Sequence, residues 1–168
     1  MIESRQLNHT EGQGRVFWYL GYAAVKVRKR LYVTLDISNC SELTGLYCAF
    51  TELESLDVSK CTKLLDLYCH GNKLSSLNIA SCPNLTILLC DRNQIESLDV
   101  TNCTILTSFN CSGNKLKALD ITRCPKLAFL HCNDNELTSL NIASCPDLKE
   151  INCSNNPLNN SAKESLIR

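Results

Sequence analysis

Residues 56–76 read LDVSKCTKLLDLYCHGNKLSS, and residues 77–97 read LNIASCPNLTILLCDRNQIES. The two stretches share a frame. Leu64, Leu67, Cys69, Leu74, Leu77, Ile79 and Cys82 mark the apolar positions, and their equivalents return 21 residues later. The same frame continues through 98–118 (LDVTNCTILTSFNCSGNKLKA) and 119–139 (LDITRCPKLAFLHCNDNELTS). It begins at residue 35 and is still legible at 158. The twelve cysteines fix the period: Cys40, Cys48, Cys61, Cys69, Cys82, Cys90, Cys103, Cys111, Cys124, Cys132, Cys145 and Cys153. Self-similarity at a constant period of this size is the signature of a solenoid, in which each coil buries its apolar face only against its neighbours.

Within a coil, the Leu-x-Cys segment alternates. Leu67 and Cys69 face inward and Tyr68 faces out, as in a short strand. An Asn follows at 72, 93, 114, 135 and 156, with Thr51 breaking the column in the first unit. A side-chain amide there can bond backbone groups that a turn leaves unpaired. The second half of each unit, Leu-Asp-Val-Ser-x-Cys, is too short for a full helix and reads as a second extended segment with turns. Stacked coils then give a parallel sheet with one strand per repeat.

The pattern Leu-x-x-Leu-x-Cys-x-x-Asn-x-Leu resembles the core motif of leucine-rich repeats, with Cys in the third apolar slot. The 21-residue form is similar to the bacterial, internalin-like class found in cell-surface proteins. The resemblance implies an α/β leucine-rich-repeat solenoid that is mostly β in content and right-handed. Its convex side would consist of short extended segments and turns, so it should be only weakly curved. The expected organisation is an N-terminal cap and degenerate repeat over 1–34, six repeats over 35–158 and a short C-terminal cap over 159–168. In the first segment Val16, Phe17, Trp18 and Tyr19 supply the cap. Tyr22, Val25, Val27 and Tyr32 fall where Leu, Leu, Cys and Leu would sit.

The 168 residues carry seventeen basic and seventeen acidic side chains. A balanced charge gives no global field toward nucleic acid or an anionic membrane. The basic run KVRKR (26–30) reads as an edge strand protected by charge. No apolar stretch is long enough to cross a membrane, and the opening MIESRQLNHT has no secretory-signal pattern. As it stands the chain reads as cytoplasmic. If it is a fragment of a larger protein, the family resemblance implies the cell surface or secretion.

The cysteines admit three readings. Equivalent cysteines on successive strands point the same way at about 4.8 Å, whereas a disulfide needs Cβ atoms about 3.8 Å apart. Metal binding fails on direction, because at Cys69-His70 and His131-Cys132 neighbouring residues face opposite sides. What is left is two internal ladders of reduced thiols, acting as small hydrophobes and favouring a reducing compartment. Buried thiols lack the access and lowered pKa of a nucleophile. No paired catalytic groups or phosphate loop appear, so no enzyme, cofactor or metal site is expected. The carboxylates Asp36, Asp57, Asp99 and Asp120, with Asn78 and Asn141, recur as turn residues, a calcium site being the alternative.

Recognition falls to the irregular outward positions. Tyr47, Tyr68, Ile87 and Leu89 should form an apolar and aromatic patch on three adjacent strands, edged by Asp66, His70, Asp91 and Arg92. Phe129 and His131 make a smaller island beyond Ser108 and Asn110. An apolar patch rimmed by charge suggests docking. The expectation is a non-enzymatic module that binds an unidentified protein partner through the concave sheet face. Packing on a second copy or a missing domain is a further use of the patch. A spacer segment of a larger adhesin is the alternative. An ice-binding face would need an unbroken Thr ladder, and Leu65, Ala128 and Lys149 interrupt Thr44, Thr86 and Thr107.

Overall fold

The computed structural model describes residues 15–19, 22–26 and 35–160, with side chains from 35 onward. Eight strands form one sheet in chain order. They are β1 (Arg15–Tyr19), β2 (Tyr22–Lys26), β3 (Leu43–Tyr47), β4 (Asp66–Tyr68), β5 (Ile87–Leu89), β6 (Ser108–Asn110), β7 (Phe129–His131) and β8 (Glu150–Asn152). From β2 onward every pairing is parallel. Leu46 lies beside Leu67, Leu67 beside Leu88, Leu88 beside Phe109, and Phe109 beside Leu130. The sequence period has become the sheet register. Almost no helix accompanies it, which makes the chain a β-rich leucine-rich-repeat solenoid.

β2 joins in the same register, with Val25 beside Leu46 and Lys26 beside Tyr47. β1 turns back on β2 as an antiparallel strand. Val27 and Tyr32 lie outside the described residues, and so does the C-terminal segment from 161 onward.

Each coil is sealed by the same side chains. In the unit starting at Leu77, that residue, Ile79, Cys82, Leu85, Leu88, Cys90 and Ile95 are all buried. The second extended segment is real but minimal: Asp57 and Asn78 form an isolated parallel bridge. A tight turn follows, in which the Cys61 amide donates to the Val58 carbonyl and the Leu64 amide to the Cys61 carbonyl, at 2.9 and 3.1 Å. The pattern recurs at Cys82, Cys103, Cys124 and Cys145.

The polar columns hold the turns. Oδ1 of Asp36, Asp57, Asn78, Asp99, Asp120 and Asn141 each accepts from the amide two residues on. These bonds favour the carboxylate and are the main reason the pKa values of Asp36 and Asp57 are lowered, whereas at Asp99 and Asp120 the hydroxyls of Thr101 and Thr122 contribute first and the amides second. This is the Asx-turn chemistry expected of the column.

The Asn column does more. Asn114 accepts from the Ile95 amide of the preceding coil at 3.0 Å. Its Nδ2 donates to the carbonyls of Cys90 and Cys111 at 3.1 and 3.0 Å. Asn93 and Asn135 repeat the arrangement. One amide therefore ties two coils together at the turn, between the backbone bonds from the Gly113 amide to Asn133 and from the Lys115 amide to Ile95. Thr51, in the same column, lies 2.7 Å from the Cys48 carbonyl and donates to it, filling the local part of the role.

All twelve cysteines are free; Cys40 and Cys153, at the ends of the ladders, are partly exposed and the others are buried. Burial pushes the thiols of Cys48, Cys61, Cys103 and Cys132 up to about 12. For Cys82 and Cys124 the value is about 11. Cys69, Cys90 and Cys111 move further in the same direction, through burial first and the neighbouring thiols of the ladder second.

Candidate functional site: the outward sheet face

Because the strands keep one register, outward side chains form columns. Tyr47, Tyr68, Leu89, Asn110, His131 and Asn152 make one column, and Gly45, Asp66, Ile87, Ser108, Phe129 and Glu150 make its neighbour. Tyr47 and Tyr68 stack with ring centroids 4.8 Å apart and planes tilted by 31°. Gly45 makes this arrangement possible. A Cβ there would come within 3.0 Å of the Tyr47 ring, which leans across it.

Asp66 lies beside both phenols. Burial raises the pKa of Tyr47, and the charge of Asp66 and a hydrogen bond to it add to the effect. Tyr68 is raised by burial first and Asp66 second. Thr86 Oγ1 lies 3.3 Å from Asp66 Oδ1.

Ile87 and Leu89 complete the patch in register with Asp66 and Tyr68. They point outward but are half-buried rather than open, since flanking strands cover their sides. His70 and Asp91 follow on the same face, both half-buried, and Arg92 Nε is 4.0 Å from Asp91 Oδ2. Phe129 and His131 stand apart. β6, with Ser108 and Asn110, separates them from Ile87 and Leu89. Phe129 is 44% exposed, and His131 Nε2 contacts Glu150 Oε1 at 2.9 Å.

A residue that sequence reasoning passed over belongs to the site. Phe50 is 51% exposed. Its ring meets His70 edge-on at 5.0 Å and 88°. Its φ is +54°, in the left-handed region. The whole column is left-handed: Gly71, Arg92, Gly113, Asp134 and Asn155 share the conformation. Gly, Asp and Asn tolerate it, whereas a bulky residue there is strained. The glycines and Asn155 at equivalent positions were the available signal. Gly71 also supplies space, because a Cβ on it would fall 2.3 Å from the Phe50 ring. His70 Nδ1 is buried and has no hydrogen-bond partner among the described residues.

Cys69 is sealed in the core while His70 faces outward, so the two do not converge. Among the described residues no group of three or more His, Cys, Asp or Glu could hold a metal ion. No helix of the described residues is long and apolar enough to cross a membrane.

No protein-family model matches the chain, and no curated protein does. Solved structures do. The functional domain of InlJ from Listeria monocytogenes, described as including a cysteine ladder, is 32% identical with a TM-score of 0.72, over 77% of this chain and 28% of that one. A leucine-rich-repeat protein of Leptospira interrogans is 20% identical with a TM-score of 0.74, over 84% of this chain and 45% of its own. The internalin InlF of L. monocytogenes is 21% identical with a TM-score of 0.60, over 77% and 40%. The chain thus spans less than half the length of each of these structures. The 21-residue register, the sealed cysteine ladders and the likeness to the InlJ domain agree: this chain is a leucine-rich-repeat protein of the bacterial, 21-residue, internalin-like class with cysteine in the repeat core.

Proposed function

We propose that the chain is a non-enzymatic module that binds a protein partner through the outward sheet face. One observation carries this reading. In a scaffold whose inward columns fill the core and whose Asp and Asn columns hold the turns, Tyr47, Tyr68, Ile87 and Leu89 stand in register on adjacent strands of the outward face. Aromatic residues on a rigid surface lose little entropy on binding and are favoured at hot spots. Asp66, His70 and Asp91 border the patch, and Phe129 with His131 forms a second contact beyond β6. The likeness to internalins supports a role in protein interaction and at the bacterial surface.

The test is the pair Tyr68→Ala with Leu89→Ala. Partner capture, read by pull-down with mass spectrometry, should be lost while the thermal melt followed by circular dichroism stays where it was. Capture that persists in a folded double variant would refute the reading. A spacer role is the second reading, favoured by the small share of the InlJ domain that this chain spans. A spacer would capture the same proteins with and without the two substitutions, or none.

A further inference from the structure

We propose that the end of the face formed by β3 and β4 receives a cationic side chain, arginine above all, from an extended segment of the partner protein. This rests on the reading above and names the chemistry of the partner. Three observations bear on it.

The first is charge. The outward residues of the face and its bordering turn carry Asp66, Asp91, Asp134 and Glu150, against Arg92. Glu150 is engaged with His131, and Asp134 with Asn155 at 2.7 Å. Asp91 lies 4.0 Å from Arg92 Nε, so Asp66, which has no ion-pair partner among the described residues, carries the negative charge nearest the two tyrosines. Lys26, at the register position beside Tyr47, bounds this acidic stretch on its N-terminal side. A carboxylate there is complementary to a cation placed over β3 and β4.

The second is the surface presented. Tyr47 and Tyr68 offer stacked aromatic rings with the Asp66 carboxylate alongside. A guanidinium is planar and weakly hydrated. It stacks on an aromatic face and forks onto a carboxylate in the same pose. An anion would meet Asp66 with like charge.

The third is Phe50. The chain holds this ring exposed in a left-handed conformation that it shares with Gly71, Arg92, Gly113, Asp134 and Asn155, with Gly71 kept clear beneath it. A bulky residue there meets a steric cost that Gly would not, and the ring is 51% exposed. Its ring meets His70 edge-on, which extends the aromatic surface past the end of β4.

The experiment uses the full chain and two capped pentapeptides, acetyl-Gly-Arg-Gly-Arg-Gly-amide and its Glu counterpart, in NMR titrations at low and high ionic strength. The Arg peptide should shift the ring resonances of Tyr47 and Tyr68, more weakly at high salt. Asp66→Asn, which keeps an acceptor for Thr86, should weaken this about tenfold with the fold intact. The proposal is overturned if the Glu peptide acts as strongly, if neither peptide acts, or if Asp66→Asn changes nothing. If the Arg peptide fails while Tyr68→Ala with Leu89→Ala abolishes partner capture, the cationic assignment falls and the sheet-face reading stands. If capture survives those two substitutions, the sheet-face reading falls.

Discussion

Replacing Asn114 by Ala tests whether the Asn column locks the coils together. The substitution leaves one buried backbone group without its partner, the Ile95 amide, and removes one of the two donors to each of the Cys90 and Cys111 carbonyls, which keep Asn93 and Asn135. Stranding the amide costs about 1–3 kcal/mol and each lost second bond about 0.5–1 kcal/mol, giving roughly 2–5 kcal/mol in all. That is a large part of the ~5–15 kcal/mol by which a domain is stable. Two further variants grade the effect. Asn114→Thr can still donate to the Cys111 carbonyl, as Thr51 does to that of Cys48, and should recover only about 0.5–1 kcal/mol of the loss. Asn114→Asp removes both donors and sets a carboxylate against two carbonyls, so at neutral pH it should be worse than Ala. Its raised pKa makes the defect shrink as the pH falls and the group becomes neutral. The assay is urea unfolding followed by far-UV circular dichroism, comparing midpoints at a common slope. An Ala variant within about 1 kcal/mol of the parent would refute the argument.

Two other perturbations follow from the same geometry. The buried thiols have pKa values raised from 9.0 to about 11 or 12, so their contribution is intact below pH 9 and is lost as the unfolded chain ionises first above it. At up to about 1.4 kcal/mol per thiol per pH unit, the urea midpoint should hold up to about pH 9 and fall steeply above it, and a midpoint unchanged above pH 9 would contradict the sealed ladders. Gly71→Ala should destabilise through both its positive φ and the clash with Phe50, by about 2 kcal/mol or more, and should cost less in a Phe50→Gly background. Equal costs in the two backgrounds, measured in a double-mutant cycle, would show that the ring does not depend on Gly71.

The cysteine and leucine positions disclosed the architecture because a 21-residue translation leaves no freedom: each coil must repeat the last to seal its neighbour's core. The roles of Asn72, Asn93, Asn114 and Asn135 were also legible, since a buried amide after a strand has few other uses. The site was harder to read. Tyr47, Tyr68, Ile87 and Leu89 could be placed on one face from alternation alone, but half-burial of Ile87 and Leu89 depends on how flanking strands crowd them. The Tyr47 lean across Gly45 is a side-chain packing choice that no pattern encodes. Phe50 escaped because its own identity argues against a left-handed backbone. Only the column it shares with Gly71, Gly113, Asp134 and Asn155 reveals the turn. The antiparallel return of β1 on β2 was likewise hidden, since no repeat precedes it to set a register.

The most direct test of the stacked, sealed coils is a thiol count by maleimide labelling and mass spectrometry, without reductant, on native and on denatured protein. The native chain should label at no position beyond the partly exposed Cys40 and Cys153, and the denatured chain at all twelve cysteines. Rapid native labelling at Cys90 or Cys111, or fewer than twelve free thiols after denaturation, would contradict the account.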